Sequence, residues 1–276
     1  MTELCPIKLM EETYIESQQN SHVKNLVKLR ERKHRNRQER FIIEGLREIK
    51  HAFDSDFGLL TLYFCPELFP SESHEHFVQQ LRSEKAAPLV RMHPSAFSKA
   101  SLREGPDGLI AIAEPQDTAL DTLALKEKST VLVLEGIEKP GNLGAIIRSA
   151  DGAGVSAIFM VNCQINSYNP NAIRASQGLV FRIPIIAIET DAIFQWLEDH
   201  QFQTIATSPD ASSLYNEVKY AERTALFMGS ESTGLSEACL SKVSQTITIP
   251  MQGHADSLNV SVATAICLYQ INQKID

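Results

Sequence analysis

From residue 129 onward the chain repeats one pattern: a short, nearly unbroken apolar run, a loop of Gly and small polar residues, then a helical stretch. The runs are VLVLEGI (131–137), AIFMVN (157–162), FRIPIIAI (181–188), FQTIATS (202–208), TALFMGS (224–230) and QTITIPM (245–251). Helical patterns fall near 142–151, 170–178, 191–200 and 236–243, and after 251. A strand that is apolar throughout has no face to offer water, so helices must cover both sides, and parallel crossovers supply them. The expected class is therefore α/β, a mostly parallel sheet with helices on both faces. Ligands in such sheets bind at the carboxyl ends of the strands, which directs attention to the loops there.

A weaker alternation precedes this region. A basic amphipathic helix is expected over 20–36, then strands at FIIEG (41–45), LLTLYFC (59–65), LVRMH (89–93) and GLIAIAE (108–114), with helices at LREIKHAF and HEHFVQQLR (74–82). This describes a smaller N-terminal α/β domain. The division expected is a tail over 1–17, this domain over 18–113, a linker over 114–128 (from Glu114 and Pro115 through LDTLALKEK) and the larger domain over 129–276.

Hydrophobic residues at 43% and charged residues at 22% suit a soluble globular chain. No run approaches the ~18–20 apolar residues of a membrane span, and MTELCPIKLMEETYIE is acidic rather than signal-like, so a cytoplasmic location is expected. The five cysteines (Cys5, Cys65, Cys163, Cys239, Cys267) match no metal-ligand spacing. The net charge of −8 argues against a generally basic surface, but residues 24–40 hold eight Lys/Arg against two Glu. Clustered cations are what phosphate contacts require, which makes Lys24, Lys28, Arg32, Arg35, Arg37 and Arg40 candidates for gripping RNA; the same charges also suit a solvated helix face.

Three strand ends carry related loops: EKPGNLGAIIRSADGAG, GSESTGLSE and QGHADSLNVS. Common motifs fail on inspection. Gly229 to Gly234 opens like a phosphate-binding loop, but Leu235 stands where Lys must follow. The same stretch has Ser230 where a hydrolase elbow needs its first Gly. Gly152-Ala-Gly154 follows a helix and precedes a strand, the reverse of a dinucleotide site. His254, Asp256 and Ser257 lie too close along one loop to form a relay.

Taken in order, PGNLGAIIRSADGAG (140–154), LFMGSESTGLSE (226–237) and IPMQGHADSLNVSVATAICLYQ (249–270) resemble the three signature motifs of the SpoU family, S-adenosylmethionine-dependent RNA ribose 2'-O-methyltransferases of the SPOUT superfamily. YNPNAIRASQGLVFRIPI (168–185) resembles the stretch between the first two motifs. Residues 20–49 and 106–115 resemble the start and end of the substrate-binding domain that many members add. The likeness spans roughly 18–275 and implies a C-terminal trefoil knot, a homodimer with its sites at the interface, and a bent cofactor held in the knot.

Carried over by position, the resemblance implies catalytic roles for Asn142, Arg148, Glu231, Ser257 and Asn259. It implies that Gly229, Ile249 and Leu258 hold the adenosyl group, with Met251 and Thr207 lining the same pocket. Gln270, where an acid is common, and Asp151-Gly152 in place of Asp-Ala are the departures. Methyl transfer to a hydroxyl needs a positioned oxygen, a proton acceptor and stabilisation of growing negative charge. Arg148 suits the last role; an RNA phosphate, water or Glu231 could accept the proton. Asn142 and Ser257 also read as helix N-caps, and Glu231 as a loop acid beside a helix. Ribosomal RNA is the expected substrate, with transfer RNA methylation or a non-catalytic ribosome-assembly role as the rivals.

Overall fold

The computed structural model describes residues 13–116 and 118–274. The first twelve residues of the expected tail, and Asp117 within the expected linker, lie outside them. The chain separates into two units, 1–49 with 58–114 and 50–57 with 115–276.

The first unit is built on strands β1 (Thr13–Ile15), β2 (Phe41–Glu44), β3 (Leu59–Phe64), β4 (Leu89–Met92) and β5 (Leu109–Ala113) in the order β1-β4-β3-β5-β2. β1, β4 and β3 run parallel, while β5 is antiparallel to both β3 and β2. Helices α1 (Ser21–Lys28), α2 (Arg32–Gln38), α3 (Leu46–Phe53), α4 (Glu72–Ser83) and α5 (Pro94–Ala100) accompany them; the C-terminal part of α3 groups with the second unit. Val23, Leu26, Leu29, Ile42, Tyr63 and Phe97 share one buried cluster.

The single helix expected over 20–36 is two helices, broken after Lys28. Nothing in the local propensities requires the break; long-range hydrogen bonds hold it. The Arg30 guanidinium donates to the carbonyls of Lys99 (2.9 Å), Ala100 (2.7 Å) and Ser101 (2.7 Å), capping α5. Arg35 is only 5% exposed and donates to the carbonyls of Leu29 (3.2 Å) and Arg30 (2.6 Å), which closes the end of α1. Helix C-termini leave carbonyls without intrahelical partners, and these two cations satisfy them.

The second unit carries six parallel strands in the order β11-β9-β10-β6-β7-β8: β6 (Ser129–Glu135), β7 (Ala157–Val161), β8 (Ile185–Ala187), β9 (Gln203–Thr207), β10 (Arg223–Met228) and β11 (Gln245–Ile247). Helices α6 (Pro140–Gly152), α7 (Pro170–Ala175), α8 (Thr190–Asp199), α9 (Glu237–Leu240) and α10 (Val260–Lys274) cover it. β6 and β7 are buried at every position, as unbroken apolar runs demand. Val131, Val133, Phe159, Trp196 and Phe227 form the core, against which Leu120, Leu123 and Leu125 of the expected linker also pack.

β8 is shorter than the run 181–188 because Leu179–Phe181 winds into a 3-10 turn and Pro184 stands just before the strand. The order matters more than the lengths. The chain proceeds from β6 outward through β7 and β8, then returns so that β10 lies on the other side of β6. The β6/β10 boundary is where the direction of winding switches, and such a point opens a crevice beyond the carboxyl ends of the strands.

Candidate active site

Loops from that boundary meet the start of the last helix. β6 ends in Glu135, and the chain enters α6 through Lys139; β10 ends in Met228, and Gly229 to Gly234 form a closed turn; Asn259 immediately precedes α10. Asn259 Nδ2 donates to Glu231 Oε1 at 2.5 Å and to Asn142 Oδ1 at 3.2 Å. Lys139 Nζ pairs with the second Glu231 oxygen, Oε2. Lys139, Asn142 and Glu231 border one small cleft together with Gly136, Ile137 and Val260, and Asn259 is hydrogen-bonded to two of them.

The turn after β10 needs its glycine at the first position. A Cβ on Gly229 would lie 2.1 Å from the Gly234 carbonyl carbon and 2.3 Å from the Leu235 nitrogen, so no other residue fits without moving backbone. Ser230 and Gly234 exchange two backbone hydrogen bonds (3.2 and 3.1 Å), and the Ser230 hydroxyl bonds that of Thr233 at 2.8 Å. Beneath it, the buried Glu135 carboxylate accepts from the Ser236 amide and hydroxyl, both at 2.8 Å, and so ties the end of β6 to the cap of α9. Glu231 is thus presented by a turn closed by its own hydrogen bonds.

Lys139 holds the Glu231 carboxyl below its usual pKa, chiefly through their hydrogen bond, with Asn142 and Asn259 acting in the same direction. The Lys139 ammonium is pushed up by the same pair.

Several expected positions receive a different local role. α6 starts at Pro140, so Asn142 sits inside its first turn and is not its N-cap. Asn259, rather than Ser257, caps α10: its Oδ1 accepts from the Ser261 amide at 3.0 Å. Ser257 is exposed and outside the hydrogen-bonded cluster. Arg148 lies on α6, exposed, and does not border the cleft of its own chain. Six residues at ~100° each place it roughly 120° around the helix from Asn142.

The expected cofactor residues fall at or just beyond three neighbouring strand ends, except Leu258, which lies shortly before α10. Thr207 ends β9 and pairs with Ile247 of β11; its hydroxyl lies 3.4 Å from the Met228 sulfur at the end of β10, next to Gly229. Ile249 and Leu258 are half-buried, and Met251 is 37% exposed on the loop that follows β11. Among the basic residues, Lys24, Lys28, Arg32, Arg37 and Arg40 are exposed on and beside α1 and α2, whereas Arg35 is withdrawn into the unit and leaves the set of phosphate contacts. Sequence reading passed over Lys139 and Glu135. An acid ending an otherwise apolar strand, and a Lys three residues before Asn142, were the signals available.

A parallel α/β sheet whose polar loops converge at its switch point is the layout of a ligand-binding enzyme unit. The chain belongs to the SpoU rRNA Methylase family, whose profile matches residues 129–269. An MRM3-like substrate binding domain matches residues 20–111. A Bacillus subtilis (strain 168) protein, 23S rRNA (guanosine(2553)-2'-O)-methyltransferase RlmP, is 29% identical over 93% of this chain and 98% of its own. Escherichia coli (strain K12) 23S rRNA (guanosine-2'-O-)-methyltransferase RlmB is 34% identical over 78% of this chain and 96% of its own. An AdoMet-bound rRNA methyltransferase from Sinorhizobium meliloti superposes with a TM-score of 0.86 at 28% identity, covering 96% of this chain and 98% of that one.

Proposed function

We propose that this protein transfers the methyl group of S-adenosylmethionine to a ribose 2'-hydroxyl of ribosomal RNA, acting as a cytoplasmic homodimer. The observation that carries the reading is the hydrogen-bonded junction of Asn142 on α6, Glu231 in the turn after β10 and Asn259 before α10, with Asn142 and Glu231 bordering one cleft. The family profile and the activities named for the similar proteins support it.

The three strand ends suit the cofactor. Gly229 lets the turn at the end of β10 close tightly, Thr207 offers a hydroxyl, and Ile249, Met251 and Leu258 offer apolar surface for the adenosyl group. The knot implied by the sequence resemblance is part of this reading, with the β11-to-α10 segment as the threaded piece. When bound, S-adenosylmethionine supplies an electrophilic methyl carbon on a positively charged sulfur.

The chain's own residues do the rest. Asn142 and Asn259 orient the ribose through amide groups whose positions the cluster fixes. Arg148 stabilises negative charge on the 2'-oxygen, since a guanidinium stays protonated throughout. Glu231 serves as an anchor and not as the proton acceptor, because both of its oxygens already accept hydrogen bonds and its pKa is lowered. The proton then leaves to water or an RNA phosphate.

Arg148 does not border its own cleft, and the exposed Val262 (46%) and Tyr269 (50%) stand seven residues apart on one face of α10, which packs against α6. A second copy laid over this face would cover the apolar patch and bring its Arg148 to the first copy's site. The exposed cations of α1 and α2 hold RNA by its backbone. Replacing the target ribose by deoxyribose tests the chemistry: methyl incorporation should vanish, and retained incorporation would place the methyl on a base.

A further inference from the structure

Ser261 belongs to the first turn of α10 and is half-buried in the mainly apolar first half of that helix. It donates to Asn259 Oδ1 at 2.6 Å, beside the 3.0 Å bond from its own backbone amide to the same oxygen. Two donors on Oδ1 decide which way the amide faces. A flipped Asn259 would set its NH2 group against an N–H donor and turn its oxygen toward the Glu231 carboxylate, two repulsions at once. With Oδ1 held, Nδ2 faces Glu231 and Asn142.

We propose that Ser261 is a positioning residue for methyl transfer, which acts through Asn259 by locking its amide in the orientation that joins Glu231 to Asn142. The proposal rests on the methyltransferase reading above. A cap alone needs only the backbone bond, which any residue but proline at 261 would supply, so the hydroxyl adds orientation and not helix formation. Thr264, one turn further into α10, has a helical carbonyl behind it and bonds that of Val260 at 2.6 Å; Ser261, at the start of the helix, has none and bonds the side chain of Asn259.

The test is a double-mutant cycle in steady-state kinetics with tritiated S-adenosylmethionine and ribosomal RNA, alongside melting temperatures. Ser261→Ala should lower kcat by about fivefold, the worth of one neutral hydrogen bond, with KM for both substrates and the melting temperature unchanged. Ser261→Thr, which keeps the hydroxyl, should restore kcat. In an Asn259→Ala background, Ser261→Ala should change kcat by less than twofold, because the group it orients is gone. An unchanged kcat in Ser261→Ala, or an equal loss in both backgrounds, overturns the proposal while leaving the methyltransferase reading intact. A folded wild type that transfers no methyl to RNA overturns both.

Discussion

Asn259 and Glu231 are 28 residues apart in sequence and 2.5 Å apart at the amide and carboxylate, with Lys139 on the other carboxylate oxygen. The turn after β10 and the start of α10 are therefore held together by a charge-assisted bond at the mouth of the cleft, and the titration of Glu231 reports on it.

Lys139→Met should raise the Glu231 pKa toward the ordinary carboxylate range, since the lysine bond is the main cause of its depression. A depressed carboxylate contributes stability above its unfolded pKa and loses it as pH falls through the folded one. The variant's stabilising contribution should therefore disappear at a higher pH than the wild type's. Carboxyl-carbon NMR of Glu231 across the acid range measures the shift directly.

Arg148→Ala should cut transfer by about a hundredfold or more while leaving S-adenosylmethionine affinity within twofold, as expected for a group that stabilises developing charge. Calorimetry and single-turnover rates check the two halves. If Arg148 serves the partner's site, an equal mixture of inactive Arg148→Ala and Asn142→Ala subunits, exchanged at random, should recover about one quarter of wild-type activity.

Arg35→Ala should destabilise the protein by about 1–2 kcal/mol through its lost helix cap, without altering the salt dependence of RNA binding. Lys28→Glu with Arg37→Glu should do the reverse, weakening binding and flattening its salt slope while the melting temperature stays put. Denaturation curves and binding isotherms at several salt concentrations distinguish the pairs.

Most of the fold was legible because it rests on local pattern. Unbroken apolar runs gave the strands from β6 to β11 within a few residues, and two of the glycine-bearing strand ends lead to residues that border the cleft. What escaped depends on long-range partners. The gap between α1 and α2 is held by Arg30 reaching carbonyls 69 to 71 residues away, which no helix propensity encodes. Arg35 looked like its basic neighbours because burial is invisible in a run of like residues. Asn142 and Ser257 were plausible caps until the helix starts, Pro140 and Val260, moved the cap of α10 to Asn259. Ser261 gave no reason for its hydroxyl until the orientation of Asn259 supplied one.

Gly229→Ala should cost about 1–3 kcal/mol, because its Cβ would meet the backbone of Gly234 and Leu235 and the turn must shift. Loss of S-adenosylmethionine binding should accompany it. Chemical denaturation and calorimetry on one preparation measure both.

The central claim is tested most directly by incubating the purified protein with S-adenosylmethionine and unmodified ribosomal RNA, digesting the product to nucleosides and locating the methyl group by mass spectrometry. The account predicts a 2'-O-methylated nucleoside that is absent when Arg148→Ala replaces the wild type. A methyl group on a base, or none on any RNA, would contradict it.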